Sequence, residues 1–232
     1  EVPAEYATVQ EAINAAGYGD TVLVAPGTYT GTGDWVINPM GKPITILASG
    51  SSEETILDGQ GDRRVVQCTS SEGVDTVIDG FTITGGWSEF YGGGIYIENA
   101  APTITGCTIS GNATGIDGVV YLGDNSNPTM ADTVLCENSP NEITGTWTDG
   151  GGFCVAWSCQ DDDSDGIPDK CQGSTGDGVH EVPAEYATIQ EAINIAGYGD
   201  TVLVAPGTYT ATGDWVINTI GKPITIRASG SP

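Results

Sequence analysis

The sequence predicts an all-β solenoid, in which short strands wind into coils that stack on one another. Three observations carry that expectation. A ten-residue pattern recurs at an offset of 26, over residues 77–86, 103–112 and 129–138. Its positions keep one phase: Ile78 aligns with Ile104 and Met130, Phe81 with Cys107 and Thr133, and Ile83 with Ile109 and Leu135. Glycine supplies 35 of 232 residues, roughly twice its usual share, and Gly, Asn and Asp punctuate the apolar runs as turns between strands do. A strand of about five residues buries no face alone. Stacking like coils at about 4.8 Å buries a continuous core and pairs backbone between coils.

The elements follow in order. Residues 6–16 place Val9, Ala12, Ile13 and Ala16 at helical spacing, one apolar stripe. A helix there serves as a lid on strand edges that the first coil otherwise exposes. Residues 21–25, 35–38, 44–48, 55–58 and 64–68 alternate in the manner of strands. From residue 77 the regular coils begin, with Pro102 and Pro128 opening the second and third. Gly86, Asn112 and Asn138 end the same segment of each coil. There a turn needs either a left-handed residue or a bend capped by a side chain, and Asn112 and Asn138 are placed to form an amide ladder. Asn112-Ala113-Thr114 is also a glycosylation sequon.

A longer repeat overlies the short one. Residues 1–52 return at 181–232, differing at seven positions: Val9/Ile189, Ala15/Ile195, Gly31/Ala211, Pro39/Thr219, Met40/Ile220, Leu47/Arg227 and Ser52/Pro232. Such closeness marks a duplicated module of about 180 residues. The replacement of Leu47 by Arg227, with Ile44 and Ile46 kept as Ile224 and Ile226, assigns position 47 to solvent and 44 and 46 to the core. Three regions follow: a solenoid module over 1–152, an Asp- and Cys-rich linker over 153–180, and the start of a second, near-identical module over 181–232. The second copy stops mid-pattern, as a slice of a longer array does.

Charge narrows the partners. Asp and Glu number 31 against 6 Lys and Arg, a net charge of −25. Nucleic-acid binding and anionic-membrane binding both need cationic patches that this chain lacks. No apolar run approaches the ~18 residues of a membrane span, so membrane insertion is not expected. With 38% apolar residues the chain is also not of the disordered class. Six cysteines and abundant Asp point to an oxidising, calcium-rich exterior, hence a secreted or cell-surface protein.

Two stretches carry a family resemblance. The opening Glu5-Tyr6-Ala7-Thr8-Val9-Gln10-Glu11-Ala12-Ile13-Asn14, continuing through Gly19-Asp20-Thr21-Val22-Leu23-Val24-Ala25-Pro26-Gly27-Thr28-Tyr29, resembles the N-terminal cap and first coil of pectin-lyase-like proteins. The run from Gly92-Gly93-Gly94-Ile95-Tyr96-Ile97 to Ser110-Gly111-Asn112 resembles repeats of secreted bacterial surface proteins. The resemblance covers residues 1–152 and 181–232, and implies a right-handed parallel β-helix with an N-terminal capping helix. That fold carries lyases, hydrolases, esterases, adhesins and passive stalks alike.

The linker reads Asp161-Asp162-Asp163-Ser164-Asp165-Gly166-Ile167-Pro168-Asp169. Alternating Asp161, Asp163 and Asp165, a glycine for the sharp turn, the Ile167 carbonyl and Asp169 make the oxygen-ligand layout of a Ca2+ loop. It resembles the aspartate-rich repeats of thrombospondin type 3, except that Gln172 stands where a bidentate Glu closes the usual shell. Calcium held there turns a floppy hinge into a rigid joint. Cys159 and Cys171 flank the loop and are candidates to close it as a disulfide. Cys136 and Cys154 are candidates to staple the last coil, although connectivity does not follow from sequence. Cys68 and Cys107 fit buried strand positions.

Catalytic machinery is harder to find, and no catalytic residue is assigned. The sole histidine, His180, lies in the linker. A lyase of this fold needs acids that hold calcium and a cationic base, and only Lys42, Arg63 and Arg64 are available in the first module, with Asp58, Asp62 and Asp79 as acids. Trp87, Phe90 and Tyr91 lie between glycine-rich flanks, where exposed rings stack on sugars. The favoured expectation is a structural or adhesive extracellular protein whose partners are adjacent modules or further copies joined head to tail. The alternatives are a polysaccharide-binding module or a polysaccharide lyase.

Overall fold

The computed structural model describes residues 1–156, 159, 179–184, 186–196, 201–210, 216, 217, 219 and 224–229. Its chain divides into two compact units, the first built on residues 1–150 with 155–159. That unit is a right-handed parallel β-helix of about six coils. The first coil carries α1 (Val9–Ala15), β1 (Thr21–Val24), β2 (Gly27–Thr30) and β3 (Trp35–Ile37). The second carries β4 (Thr45–Ala48), β5 (Thr55–Asp58) and β6 (Arg64–Cys68). The third carries β7 (Val77–Asp79), β8 (Thr82–Thr84), β9 (Trp87–Ser88) and β10 (Ile95–Ile97). The fourth carries β11 (Thr103–Thr105), β12 (Thr108–Ser110), β13 (Ala113–Thr114) and β14 (Val120–Leu122). The fifth carries β15 (Thr129–Ala131), β16 (Val134–Cys136) and β17 (Ile143–Thr144), and the last β18 (Thr148–Asp149) and β19 (Cys154–Ala156).

Three sheets run the length of the stack, in the orders β1-β4-β7-β11-β15-β18, β2-β5-β8-β12-β16-β19 and β3-β6-β10-β14-β17. Each sends a column of side chains inward. Ile46, Ile78, Ile104 and Met130 align in the first sheet, and Leu57, Ile83, Ile109 and Leu135 in the second. Ile37, Val66, Ile95 and Val120 align in the third. All twelve are fully buried. The 26-residue phase is therefore the register of the core. Ile44 and Ile46 are buried and Leu47 is half-exposed, as its exchange for Arg requires.

Each ten-residue pattern is two strands meeting at a corner. Gly80, Gly106 and Asp132 take left-handed φ of 83°, 59° and 43° there, so the chain turns from the first sheet to the second. Phe81, Cys107 and Thr133 follow and fill the corner from inside. The next turn is also left-handed, but at Gly85, Gly111 and Glu137. Gly86, Asn112 and Asn138 stand one residue later and bridge coils by side chain. The Asn112 amide donates to Asn138 Oδ1 (3.0 Å) and to the Ile83 carbonyl (2.8 Å), while its Oδ1 accepts from the Gly86 N–H (2.8 Å). Asn112 is only 2% exposed, so the ladder rather than the sequon describes it. Asn99 and Asn125, both left-handed, form a second rung (3.0 Å) that the sequence reading missed.

The lid helix is shorter than residues 6–16. Thr8 caps it: Thr8 Oγ1 accepts from the Glu11 N–H and the Glu11 carboxylate accepts from the Thr8 N–H, both at 3.1 Å, so Thr8 itself is extended and the helix starts at Val9. Val9, Ala12 and Ile13 face the first coil and are buried.

Within the second unit, β20 (Val179–Val182), α2 (Ile189–Ile195), β21 (Thr201–Val204) and β22 (Thr225–Ala228) repeat the opening design. The strands are parallel in the order β20-β21-β22. Thr188 and Glu191 form the same capping box. Val182, Ile189, Ala192, Ile193, Ala196 and Val202 form its core.

Candidate functional site

The outer face of the third sheet holds the one dense aromatic group among the described residues. Tyr96 and Tyr121 are in register on β10 and β14, with Gln67 and Thr144 beyond them. Their rings stack at 5.2 Å, and Tyr91 stacks on Tyr121 at 4.7 Å. The Arg64 guanidinium lies 4.4 Å over the Tyr96 ring, a cation–π contact. Its Nη2 donates to Ser88 Oγ and the Tyr91 carbonyl, each at 3.3 Å. Burial pulls the Arg64 pKa down from its ordinary value, and pushes that of the Tyr96 phenol up, helped by Glu98. Gly92 lets the 87–91 arm pass here: its φ is +65°, and a Cβ would stand 2.7 Å from that of Tyr96.

Of the three aromatics singled out in the sequence, Trp87 (40%) and Phe90 (53%) are exposed, while Tyr91 belongs to the stack. Ile116, also exposed, sits one coil on from Phe90, its N–H donating to the Phe90 carbonyl (3.1 Å). Trp87, Phe90 and Ile116 thus stay exposed, with Glu89 and Asp117 as chain neighbours of Phe90 and Ile116, while the Tyr91, Tyr121 and Tyr96 rings stack on one another and Glu98 accepts from the Tyr96 hydroxyl (3.1 Å). Ring faces stack on the C–H faces of sugars, and the acids disfavour a strongly anionic ligand. Tyr96 and Tyr121 were missed because strand alternation says only that they point outward. Their mutual offset of 25, against the 26 of the coil pattern, was the available signal.

The three cations of the first module all have structural partners. Lys42 Nζ donates to the carbonyls of Ile13 (2.8 Å), Asn14 (2.9 Å) and Ala16 (2.9 Å), closing the C-terminal end of α1. Arg63 pairs with Asp62 (2.7 Å) and reaches the Gly31 carbonyl, and its hydrogen bond lowers the Asp62 pKa. Arg64 is held under the aromatic stack. Asp58 Oδ1 accepts from the Gln60 N–H (2.7 Å). Asp79 is raised above the usual carboxylate value by burial and then by Asp132.

The proposed calcium ligands Asp161, Asp163, Asp165, Ile167 and Asp169 lie outside the described residues, as does Cys171. The disulfides correct the pairing read from the sequence. Cys136 bonds to Cys159 across a Cα separation of 5.4 Å, not to Cys154. Cys159 therefore does not close the acidic loop with Cys171, while Cys154 is itself in a disulfide. Cys159 lies against the end of β16, its N–H donating to the carboxylate of Glu137 (3.2 Å), the residue after Cys136. Cys68 and Cys107 are free and buried. Burial pushes the Cys107 thiol up to about 12 and that of Cys68 well above its ordinary value, so neither is a reactive thiolate. Among the described residues no helix is long and apolar enough to cross a membrane.

Comparison with protein-family models, with curated proteins and with solved structures found no match.

Proposed function

We propose that this chain is a structural, adhesive protein of the cell exterior. In this reading rigid β-helix modules are joined by linkers that Ca2+ stiffens, making a stalk or a head-to-tail filament. The observation that carries it is the recurrence of one lid and first coil at an offset of 180 residues, down to the Thr8–Glu11 and Thr188–Glu191 capping boxes. The continuous inward columns give the module stiffness, since each coil is paired to the next by backbone and side chain. The Cys136–Cys159 bond suits an oxidising compartment. The Asp161, Asp163, Asp165 and Asp169 carboxylates with the Ile167 carbonyl are the calcium ligands of this reading. Limited proteolysis with and without chelator tests it. Chelation is expected to open residues 153–180 to cleavage while the modules stay folded; equal resistance in both states overturns the calcium joint.

A second reading, a polysaccharide-binding surface, rests on the Tyr91–Tyr121–Tyr96 stack and the exposed Trp87 and Phe90. Neutral glycans are the better fit beside Glu89, Glu98 and Asp117. Titration with soluble glycans, followed by tryptophan fluorescence, is expected to give saturable quenching that Phe90→Ala weakens about tenfold. Quenching unchanged by that substitution rejects the surface. A lyase reading is less favoured, because Lys42, Arg63 and Arg64 are already engaged.

A further inference from the structure

The asparagine ladder of the first unit repeats one set of bonds. The Gly86 N–H donates to Asn112 Oδ1 (2.8 Å), and one coil on, the Asn112 N–H and side-chain amide both donate to Asn138 Oδ1 (each 3.0 Å). Each asparagine also donates to the coil before it, Asn112 to the Ile83 carbonyl and Asn138 to the Ile109 carbonyl (both 2.8 Å). The remaining donors of a rung thus point at an oxygen that the next coil brings. Asn138 is the last asparagine of the column among the described residues, yet its donors are not left open. Its N–H donates to Glu142 Oε1 (3.2 Å) and its side-chain amide to Glu142 Oε2. Two carboxylate oxygens from the same coil therefore take the two bonds that one amide oxygen takes at the rung before.

The place of Glu142 in the stack explains how it reaches them. It stands one residue ahead of β17, as Val119 stands ahead of β14 and Gly94 ahead of β10. The Val119 N–H donates to the Asn141 carbonyl (3.0 Å) and the Val120 N–H to the Glu142 carbonyl (2.9 Å), which fixes this backbone against the fourth coil. The column passes beside the ladder, since a Cβ on Gly94 would stand 3.2 Å from the Asn112 side-chain nitrogen. In the third and fourth coils it holds a glycine and a buried valine, and there the following rung supplies the ladder oxygen. In the fifth coil it holds a half-buried carboxylate with no ion pair among the described residues. Burial pushes the Glu142 pKa up, the Asn138 hydrogen bonds pull against that, and Glu137 adds to the rise. An ionised carboxylate only accepts, which suits a point where two donors converge.

We propose that Glu142 terminates the ladder: its carboxylate replaces the amide oxygen of a further rung, so the column closes within the fifth coil. The first unit then presents no open amide rung at this corner to a coil of another copy. In the structural reading above, and resting on it, head-to-tail joining does not run through this corner. The closure itself is independent of that reading.

Hydrogen exchange at the Asn138 amide of the full chain tests this in Glu142→Ala, Glu142→Gln and Glu137→Gln. The first removes both acceptors and the second keeps one. The third removes a neighbouring charge that binds the Cys159 N–H and not the ladder. Glu142→Ala is expected to speed Asn138 exchange about tenfold, Glu142→Gln by less, and Glu137→Gln by under about twofold. Unchanged exchange in Glu142→Ala overturns the proposal. Equal speeding by Glu142→Gln and Glu137→Gln also overturns it, by assigning the effect to charge, and this comparison decides if Glu142→Ala does not fold. Exchange is read within the first unit, so the result stands apart from the calcium joint and from filament formation.

Discussion

Residues 1–52 and 181–232 share all but seven residues, yet the structure buries them differently. In β4, Ile46 is fully buried and Ala48 is 8% exposed, whereas in β22 Ile226 is only half-buried and Ala228 is exposed. Val24 is fully buried in β1, and its counterpart Val204 is partly exposed in β21. The cause lies beyond the repeat. β4 has β7 on its far edge, in register from Thr45 to Leu47, while β22 ends its sheet among the described residues. The apolar pattern decides which side of a strand faces inward. The next coil decides whether that side is dry.

The largest expected effect tests this contrast directly. Ile46→Ala removes a side chain from the closed column and is expected to cost ~2–5 kcal/mol, whereas Ile226→Ala is expected to cost about 1 kcal/mol or less. Hydrogen exchange on each unit reads the two separately; equal costs would mean that the next coil is not what buries the strand. Next in size, Asn112→Ala strands the buried Gly86 N–H and the Ile83 carbonyl, at roughly 2–3 kcal/mol in urea unfolding of the first unit. A loss below about 0.5 kcal/mol would assign the cohesion of the covered coils to backbone and apolar contacts alone.

The smallest expected effect is electrostatic. Asp79 lies on the outer face of β7, its carboxyl raised by burial and by Asp132. A carboxyl whose folded value lies above its unfolded value is favoured by folding in its protonated form, so its charge at neutral pH costs stability. That cost falls away as pH drops through the raised value. Asp79→Asn is expected to stabilise the first unit by a few tenths of a kcal/mol at neutral pH and by nothing below the carboxylate range. A benefit that persists in acid would trace to packing instead.

Much of the architecture was legible before any coordinate. The phase of Ile78, Ile104 and Met130 is a property of spacing, and like side chains at one phase stack wherever coils of equal length wind in parallel. The lid was legible from its stripe, although Thr8 and Glu11 shortened it by capping. The candidate site was legible only in part. Trp87 and Phe90 are local in sequence and were found, whereas Tyr96 and Tyr121 come from different coils and meet only after winding. Arg64 gave no signal of its place under a ring, because the run Asp62-Arg63-Arg64 reads equally as a solvated turn.

Sequence alone thus determined the period, the inward side of each strand and the duplication, since these depend on distances along the chain. Tertiary structure decided how deeply each strand is buried, which cysteines pair and what the three cations of the first module touch. These depend on what the neighbouring coil brings across a gap of about 4.8 Å, and the same local sequence in two places has two different neighbours.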